Sequence, residues 1–363
     1  MLKKFTGILA VFIAILLLYF IAWPVPIDPV AWNAPLDNSY TGPFAVNDSL
    51  SDIEILSIGD NKGPEDFAQD KAGRIYAATH DGWIVRLNPD GSDPENWVKT
   101  NGRPLGNEFD SEGNLIVADA VRGLISITPT GKVTVLTDMA DGIAILYADD
   151  VDIAADGKIY FSDASTKFTS VSHGGTKNSS LLDILEHGGH GRLLMFDPAT
   201  GMTKTLLSGL NFANGVAVSH DQQYVLVCET GTYRVMRYWI DGPRKGQGEP
   251  FIENLPGFPD NISTGRNGRF WLAFFAPRNA LLDKLSNNPF LRKVIHRLPS
   301  FVRPKAAVYG HITALDENGK VVMDFQDPNT RYPQNTSVLE TDDYLYIGSL
   351  TAPVAARMSK AGI

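Results

Sequence analysis

The chain has 363 residues, of which 44% are apolar and 20% charged, enough to bury a large core. Setting aside Lys3 and Lys4, 30 Lys and Arg face 41 Asp and Glu, a net of −11. That balance excludes a phosphate-seeking surface, so no nucleic acid partner is expected. The single cysteine, Cys228, rules out an internal disulfide, and its apolar run YVLVCET places it in a buried strand.

Residues 5–23 (FTGILAVFIAILLLYFIAW) are an uncharged apolar run of 19 residues, long enough to cross a bilayer as a helix. Lys3 and Lys4 precede it, Tyr19, Phe20 and Trp23 cluster at its far end, and Pro24 stops it. A cleaved signal peptide would have a shorter apolar core and small residues at its end. The expectation is a single-pass anchor with a cytoplasmic tip over residues 1–4. The rest is exported, to a periplasm or to a eukaryotic lumen or cell surface. Residues 24–50, rich in Pro, Asn and Asp, are expected to be an extended linker.

From residue 51 two patterns alternate to the end of the chain. The first is a strand, a turn and a β-rich run: FAQDKAGRIYAAT (67–79), NEFDSEGNLIVAD (107–119), VDIAADGKIYFSD (151–163), VAVSHDQQYVLVCE (216–229), ISTGRNGRFWLAF (262–274) and SVLETDDYLYIGS (337–349). The second is a strand running into a turn, as in GWIVRLNPDG (82–91) and PVAARMSKAG (353–362). Six copies of each, with Asp-Gly and Pro-x-Gly turns, are the signature of antiparallel hairpins. Three of the five intervals between turn glycines, or their equivalents, are 40, 44 and 46 residues, the length of a four-stranded propeller blade. The other two, 65 and 75 residues, mark insertions over 165–189 and 278–305. The predicted fold is therefore an all-β, six-bladed β-propeller over residues 51–363, behind an N-terminal transmembrane helix. The last repeat lacks an outer strand, and residues 53–58 (IEILSI) would supply it and close the ring.

The insertions have their own patterns. Residues 165–189 are rich in Gly and Ser, with a helical run near 181–186, and suit a lid. Residues 278–305 put Leu281, Leu282, Leu285, Phe290, Leu291, Val294 and Ile295 at helical spacing among seven Lys and Arg. Two readings of that basic face stay open: a solvated cap, or a helix lying on the membrane surface beside the anchor.

Eight residues before each turn glycine, or its equivalent, stand Glu65, Leu105, Asp149, Asn214, Asp260 and Asn335. Five carry side-chain oxygens where a strand is about to enter a core, and ring closure would bring them to the axis. The carboxylates of Glu65, Asp149 and Asp260 require a balancing cation in a dry channel, and hard oxygen donors select Ca²⁺. The expected ligands are Glu65, Asp149, Asn214 and Asp260. Asp150 and Asn261 follow two of them and, with Asn335, are expected to orient substrate. No nucleophile elbow, phosphate-binding loop or zinc helix motif is present in the sequence.

Several stretches resemble the strictosidine synthase-like family, above all its membrane-anchored members related to adipocyte plasma membrane-associated protein. They are GRPLG (102–106), IYFSDAST (159–166), GRLLMFDPATG (191–201), LLSGLNFANGVAVS (206–219), RYWIDGPRKG (237–246) and LPGFPDNI (255–262). A weaker likeness extends to calcium-dependent six-bladed hydrolases such as paraoxonase and gluconolactonase. The resemblance implies the same ligand set, with Asp149 standing where those hydrolases have asparagine. It also implies two departures: no histidine pair near 104–106 and 117–120, and no carboxylate in QNTSV (334–338), where the alkaloid-forming synthases carry a glutamate. The expected function is a membrane-anchored, calcium-dependent hydrolase of esters or lactones, with Asp260 or Asp149 as base or nucleophile. The alternatives are a carbon–nitrogen lyase of strictosidine synthase type, or a propeller that binds a partner without catalysis.

Overall fold

In a computed structural model, which describes residues 2–362, the twelve repeats pair into six four-stranded antiparallel sheets. Their inner strands are Asp66–Gln69, Pro104–Phe109, Ala148–Ile153, Ala213–Val218, Gly257–Thr264 and Asn335–Glu340. Each contacts the next in order and the last contacts the first, so the ring is closed. Gly73, Gly113, Gly157 and Gly268 turn with φ between +74° and +84°, and Gln222 takes the same left-handed place at 61°.

Closure runs through the N-terminal strand Glu54–Leu56. It pairs with Ala355–Ser359 in the register Glu54↔Arg357, Ile55↔Ala356 and Leu56↔Ala355. Arg357 Nε reaches Glu54 Oε2 at 2.7 Å across this seam. The two ends of the ring thus share one blade, and Glu54–Leu56 covers the edge of Ala355–Ser359 and becomes the blade's outer strand.

The core lies between blades rather than at one centre. Trp271, Ala273, Ile312 and Ala314 of the fifth blade pack against Val338, Leu345 and Ile347 of the sixth. Cys228 is fully buried in the fourth blade, among Leu226, Tyr233 and Phe258.

Each insertion connects the second and third strands of its blade. The inner strand begins where the second strand ends, as in the pairs Ala148↔Asp163 and Gly257↔Pro277. Both insertions therefore rise from the ring face where the inner strands start. Residues 165–190 contain the helix Thr176–Glu186. The second insertion forms two helices rather than one, Ala280–Lys284 and Pro289–Arg297. Asn279 and Asn288 cap them, accepting from Leu281 and Leu282 N and from Leu291 N respectively, and Pro289 fixes the restart.

Residues 24–50 are extended, but they are a strap and not a free linker. Val30 N donates to Glu186 O at 2.8 Å, Trp32 N to Ser286 O at 3.1 Å, and Leu50 N to Gln326 O at 3.0 Å. Of the seven cations over 278–305, for which a solvated cap and a membrane-surface helix were both open, Arg278, Arg292 and Arg297 fit neither: they point inward and are buried. Arg292 donates to the carbonyls of Leu185 (3.0 Å), Ser286 (3.0 Å) and Val30, joining both insertions and the strap. Arg297 donates to Trp23 O (2.7 Å) and Phe20 O (2.9 Å), capping the C-terminal end of the helix Leu2–Ala22. That helix is long and apolar enough to cross a membrane, and its apolar side chains are exposed.

Candidate functional site

The register positions carry oxygens because the strands bulge there. Ladder pairing skips two residues between Pro104 and Asn107, Ala148 and Val151, Ala213 and Val216, Pro259 and Ile262, and Asn335 and Val338. A bulge frees its residues from the ladder and re-aims their side chains. The first freed residue is Leu105, Asp149, Asn214 or Asp260, while Glu65 leads into the first blade's inner strand. In the sixth blade it is Thr336, so counting back from the turn placed Asn335 one residue early. The cause is a turn one residue shorter: four residues separate Glu340 from Leu345, where five separate Ile153 from Ile159.

Glu65, Leu105, Asp149, Asn214 and Asp260 all line one cavity of about 670 Å³. Asn214 Nδ2 donates to Asp260 Oδ1 at 2.6 Å. Asn214 Oδ1 is buried and has no partner among the described residues. Arg103 donates from Nη2 to Glu65 Oε2 at 2.7 Å, an ion pair with side chains only 8% and 7% exposed. Burial pushes the carboxyls of Glu65, Asp149 and Asp260 up from their ordinary range. For Asp149 and Asp260 the charge of Glu65 adds to the rise, and for Glu65 and Asp149 Arg103 opposes it. Three acids against one guanidinium leave a deficit that protons or a divalent cation would fill.

The three residues expected to orient substrate lie elsewhere. Asp150 spends Oδ2 on Val216 N of the next blade at 2.7 Å. Gly106 allows this approach, since a Cβ there would lie 2.0 Å from Asp150 Oδ1. Asn335 is fully buried, accepting from His311 N at 2.7 Å and donating to Tyr332 O at 3.0 Å. Asn261 is buried against the inter-blade backbone, and its Oδ1 has no partner among the described residues.

A second tier of residues went unremarked in the sequence. Arg103, Tyr147, Phe212 and Phe258 each stand two residues before a register position. Tyr147 and Phe212 meet edge to face with centroids 5.4 Å apart, and both line the cavity with Phe258. The signal was available, because the spacing of two recurs in four blades. Above this collar most of the wall comes from the insertions, with Leu182, Leu185, Leu282, Leu285 and Ile295 among polar and cationic residues such as Thr176, Lys177 and Arg303.

His187 and His190 serve structure. His187 stacks on Trp32 at 4.0 Å and 8°, and burial lowers its pKa to about 3. His190 Nε2 lies 2.7 Å from Glu186 Oε1. Among the described residues, no three His, Cys, Asp or Glu side chains converge closely enough to hold a metal.

Several solved structures share this fold, gluconolactonases among them. A gluconolactonase from Xanthomonas campestris superposes with a TM-score of 0.61, at 16% identity, over 92% of this chain and 96% of that one. A calcium-binding regucalcin from Agrobacterium tumefaciens gives 0.58 at 14% identity, over 84% and 93%. At these identities the likeness shows the fold. Models for "Strictosidine synthase" and "Strictosidine synthase-like, N-terminal" match residues 149–243 and 42–87. The chain is 35% identical over 338 residues to strictosidine synthase-like protein 4 of Arabidopsis thaliana, covering 90% of this chain and 88% of that protein. It is 32% identical over 361 residues to the adipocyte plasma membrane-associated protein of Rattus norvegicus, covering 93% and 94%. The protein belongs to the strictosidine synthase-like family.

Proposed function

We propose that this protein is a membrane-anchored hydrolase of esters or lactones that works with a calcium ion at the channel floor. The observation that carries the reading is a set of buried oxygen donors, three acids and one amide with an unpartnered oxygen, at the closed end of an apolar cavity. Glu65, Asp149, Asn214 and Asp260 would hold the ion. Their chemistry fits a hard cation, and Asn214 Oδ1 is a donor left unused. Against this, their carboxylates do not converge, and Glu65 is engaged by Arg103. Binding would therefore draw Glu65 away from Arg103. Calcium, when bound, supplies Lewis-acid polarisation of a carbonyl and stabilises the oxyanion.

The chain's own residues do the rest. Asp260, hydrogen-bonded by Asn214, is placed to act as base or nucleophile, with Asp149 as the other candidate. Asn214 holds the Asp260 carboxyl in one orientation. Tyr147, Phe212 and Phe258 exclude water around it. The helix Leu2–Ala22 would cross the membrane with its N-terminus cytoplasmic and the ring exported. Within 334–338 there is no carboxylate to serve an amine–aldehyde condensation, which weighs against the lyase alternative.

Calcium titration of the detergent-solubilised protein tests the reading. Calcium is expected to raise Tm by several degrees and to support hydrolysis of a lactone and aryl ester panel that chelator abolishes. Unchanged Tm together with chelator-insensitive turnover would reject the metal, and no turnover on the panel would reject the hydrolase.

A further inference from the structure

The cavity is far larger than the group of side chains that could act on a carbonyl. Its floor belongs to the ring, but most of its wall belongs to the insertions, where Leu182, Leu185, Leu282, Leu285 and Ile295 face inward. These leucines and isoleucine form an apolar strip along the slot, beside polar and cationic lining residues such as Thr176, Asn279 and Arg303. Apolar walls of this kind recognise a hydrocarbon, each buried methylene adding about two- to fourfold in affinity.

One wall of the slot is built on the helix that meets the anchor. Both insertions leave the ring at the face where the bulges sit. The helix Pro289–Arg297, which supplies Arg292, Ile295 and His296 to the cavity, is also the element that receives the anchor helix. Tyr19 Oη donates to Arg297 O at 2.9 Å, and Arg297 caps Phe20 and Trp23. The same insertion exposes Phe290 (50%), Phe301 (81%) and Val302 (53%) to solvent. Lys177, Arg303 and Lys305 lie at the cavity wall. Exposed aromatic side chains mixed with cations, at the end of an apolar helix, suit a bilayer interface and its anionic head groups.

We infer that the cavity takes a long-chain lipophilic ester or lactone loaded directly from the bilayer. The hydrocarbon tail lies between the insertion helices, and the carbonyl passes the collar of Tyr147, Phe212 and Phe258 to reach Asp260 and Asn214. The inference rests on the hydrolase reading for its chemistry, but the tail site itself stands on the cavity walls.

The test uses the full-length protein reconstituted in phosphatidylcholine vesicles containing phosphatidylserine. Acetyl, butyryl, octanoyl and dodecanoyl esters of p-nitrophenol are compared, and binding of a dansyl-labelled long-chain fatty acid is followed by fluorescence. Expected is a rise in kcat/KM of about tenfold or more from acetyl to dodecanoyl. The dansyl probe should bind, and Leu285→Arg, which sets a charge in the slot, should flatten the chain-length series and weaken the probe. A series that is flat or falls with length in the unsubstituted protein would overturn the inference while leaving the hydrolase intact. If no ester of any length is turned over, the hydrolase reading falls and the probe alone decides. Binding that Leu285→Arg weakens would uphold the tail site, and absence of binding would overturn it.

Discussion

The ring and its cap are built by different means. In the ring, neighbours in sequence are neighbours in space: five blades are meanders of four consecutive strands, and in the sixth three consecutive strands are completed at the seam by Glu54–Leu56, which pairs with Ala355–Ser359. In the cap, three segments far apart in sequence are held together by a few buried cations. Arg292 alone touches the strap at Val30, the first insertion at Leu185 and its own insertion at Ser286. Repeated local pairing gives the ring many small, redundant contributions. The cap depends on a few irreplaceable ones. Under the proposed function, chemistry falls to the ring and access to the cap.

The largest effect expected from breaking this division is at the ring's own contribution to the site. Asp260→Asn keeps the shape and the contact with Asn214 but removes the carboxylate. Turnover should fall by about 10³-fold, the scale of a lost general base, with Tm and circular dichroism close to those of the parent. Full activity in this variant would remove Asp260 from the mechanism.

Next in size is the cap. Arg292→Met preserves length and apolar stem but strands the carbonyls of Leu185, Ser286 and Val30 without their donor. The cost should be about 3 kcal/mol, confined to the cap. Limited proteolysis should then cut within residues 165–190 while the ring's strands stay protected in hydrogen exchange. Arg292→Lys should rescue little, since one ammonium cannot reach three carbonyls in the plane that a guanidinium spans. Equal loss of protection in ring and cap would show that the two are one cooperative unit.

What the sequence disclosed follows the same line. Strand alternation and turn glycines are local, so the six blades and the closing strand could be read directly. The register of polar residues was also visible, because the bulge recurs at a fixed distance from a turn of nearly constant length. Asn335 was misplaced where that length changes by one, and Thr336 occupies the position. Neither open reading of the basic stretch foresaw that Arg278, Arg292 and Arg297 turn inward, because helical spacing says nothing about what packs above it. Apart from Asp283 and Asn254, which pair with Arg278, their partners are carbonyls of the strap, both insertions and the anchor helix, and a carbonyl has no sequence identity. Asp150 looked like part of the site for the opposite reason. It is adjacent to a channel residue, but the bulge turns it toward the next blade, where Val216 N takes its oxygen.

The smallest effect concerns the cap's response to pH. Asp183, on the helix Thr176–Glu186, is fully buried and accepts from Ser165 Oγ at 2.6 Å, while its other oxygen has no partner among the described residues. Burial raises its pKa to about 7; Glu186 adds to the rise, and Ser165, His190 and Lys167 oppose it. A carboxyl that titrates near 7 when folded and near 4 when unfolded holds its proton more tightly in the folded state. Its contribution to stability is therefore complete below pH 4 and is lost as the pH climbs through 7. The ring is not exempt from this logic, but under the proposed function its floor acids would exchange protons for a cation, an alternative that Asp183 lacks. Asp183→Asn cannot ionise and can still accept from Ser165. Its margin in Tm over the parent should be small at pH 5 and grow by a few degrees by pH 8, in scans without calcium. A Tm difference that stays constant across that range would mean that Asp183 does not carry the cap's pH dependence.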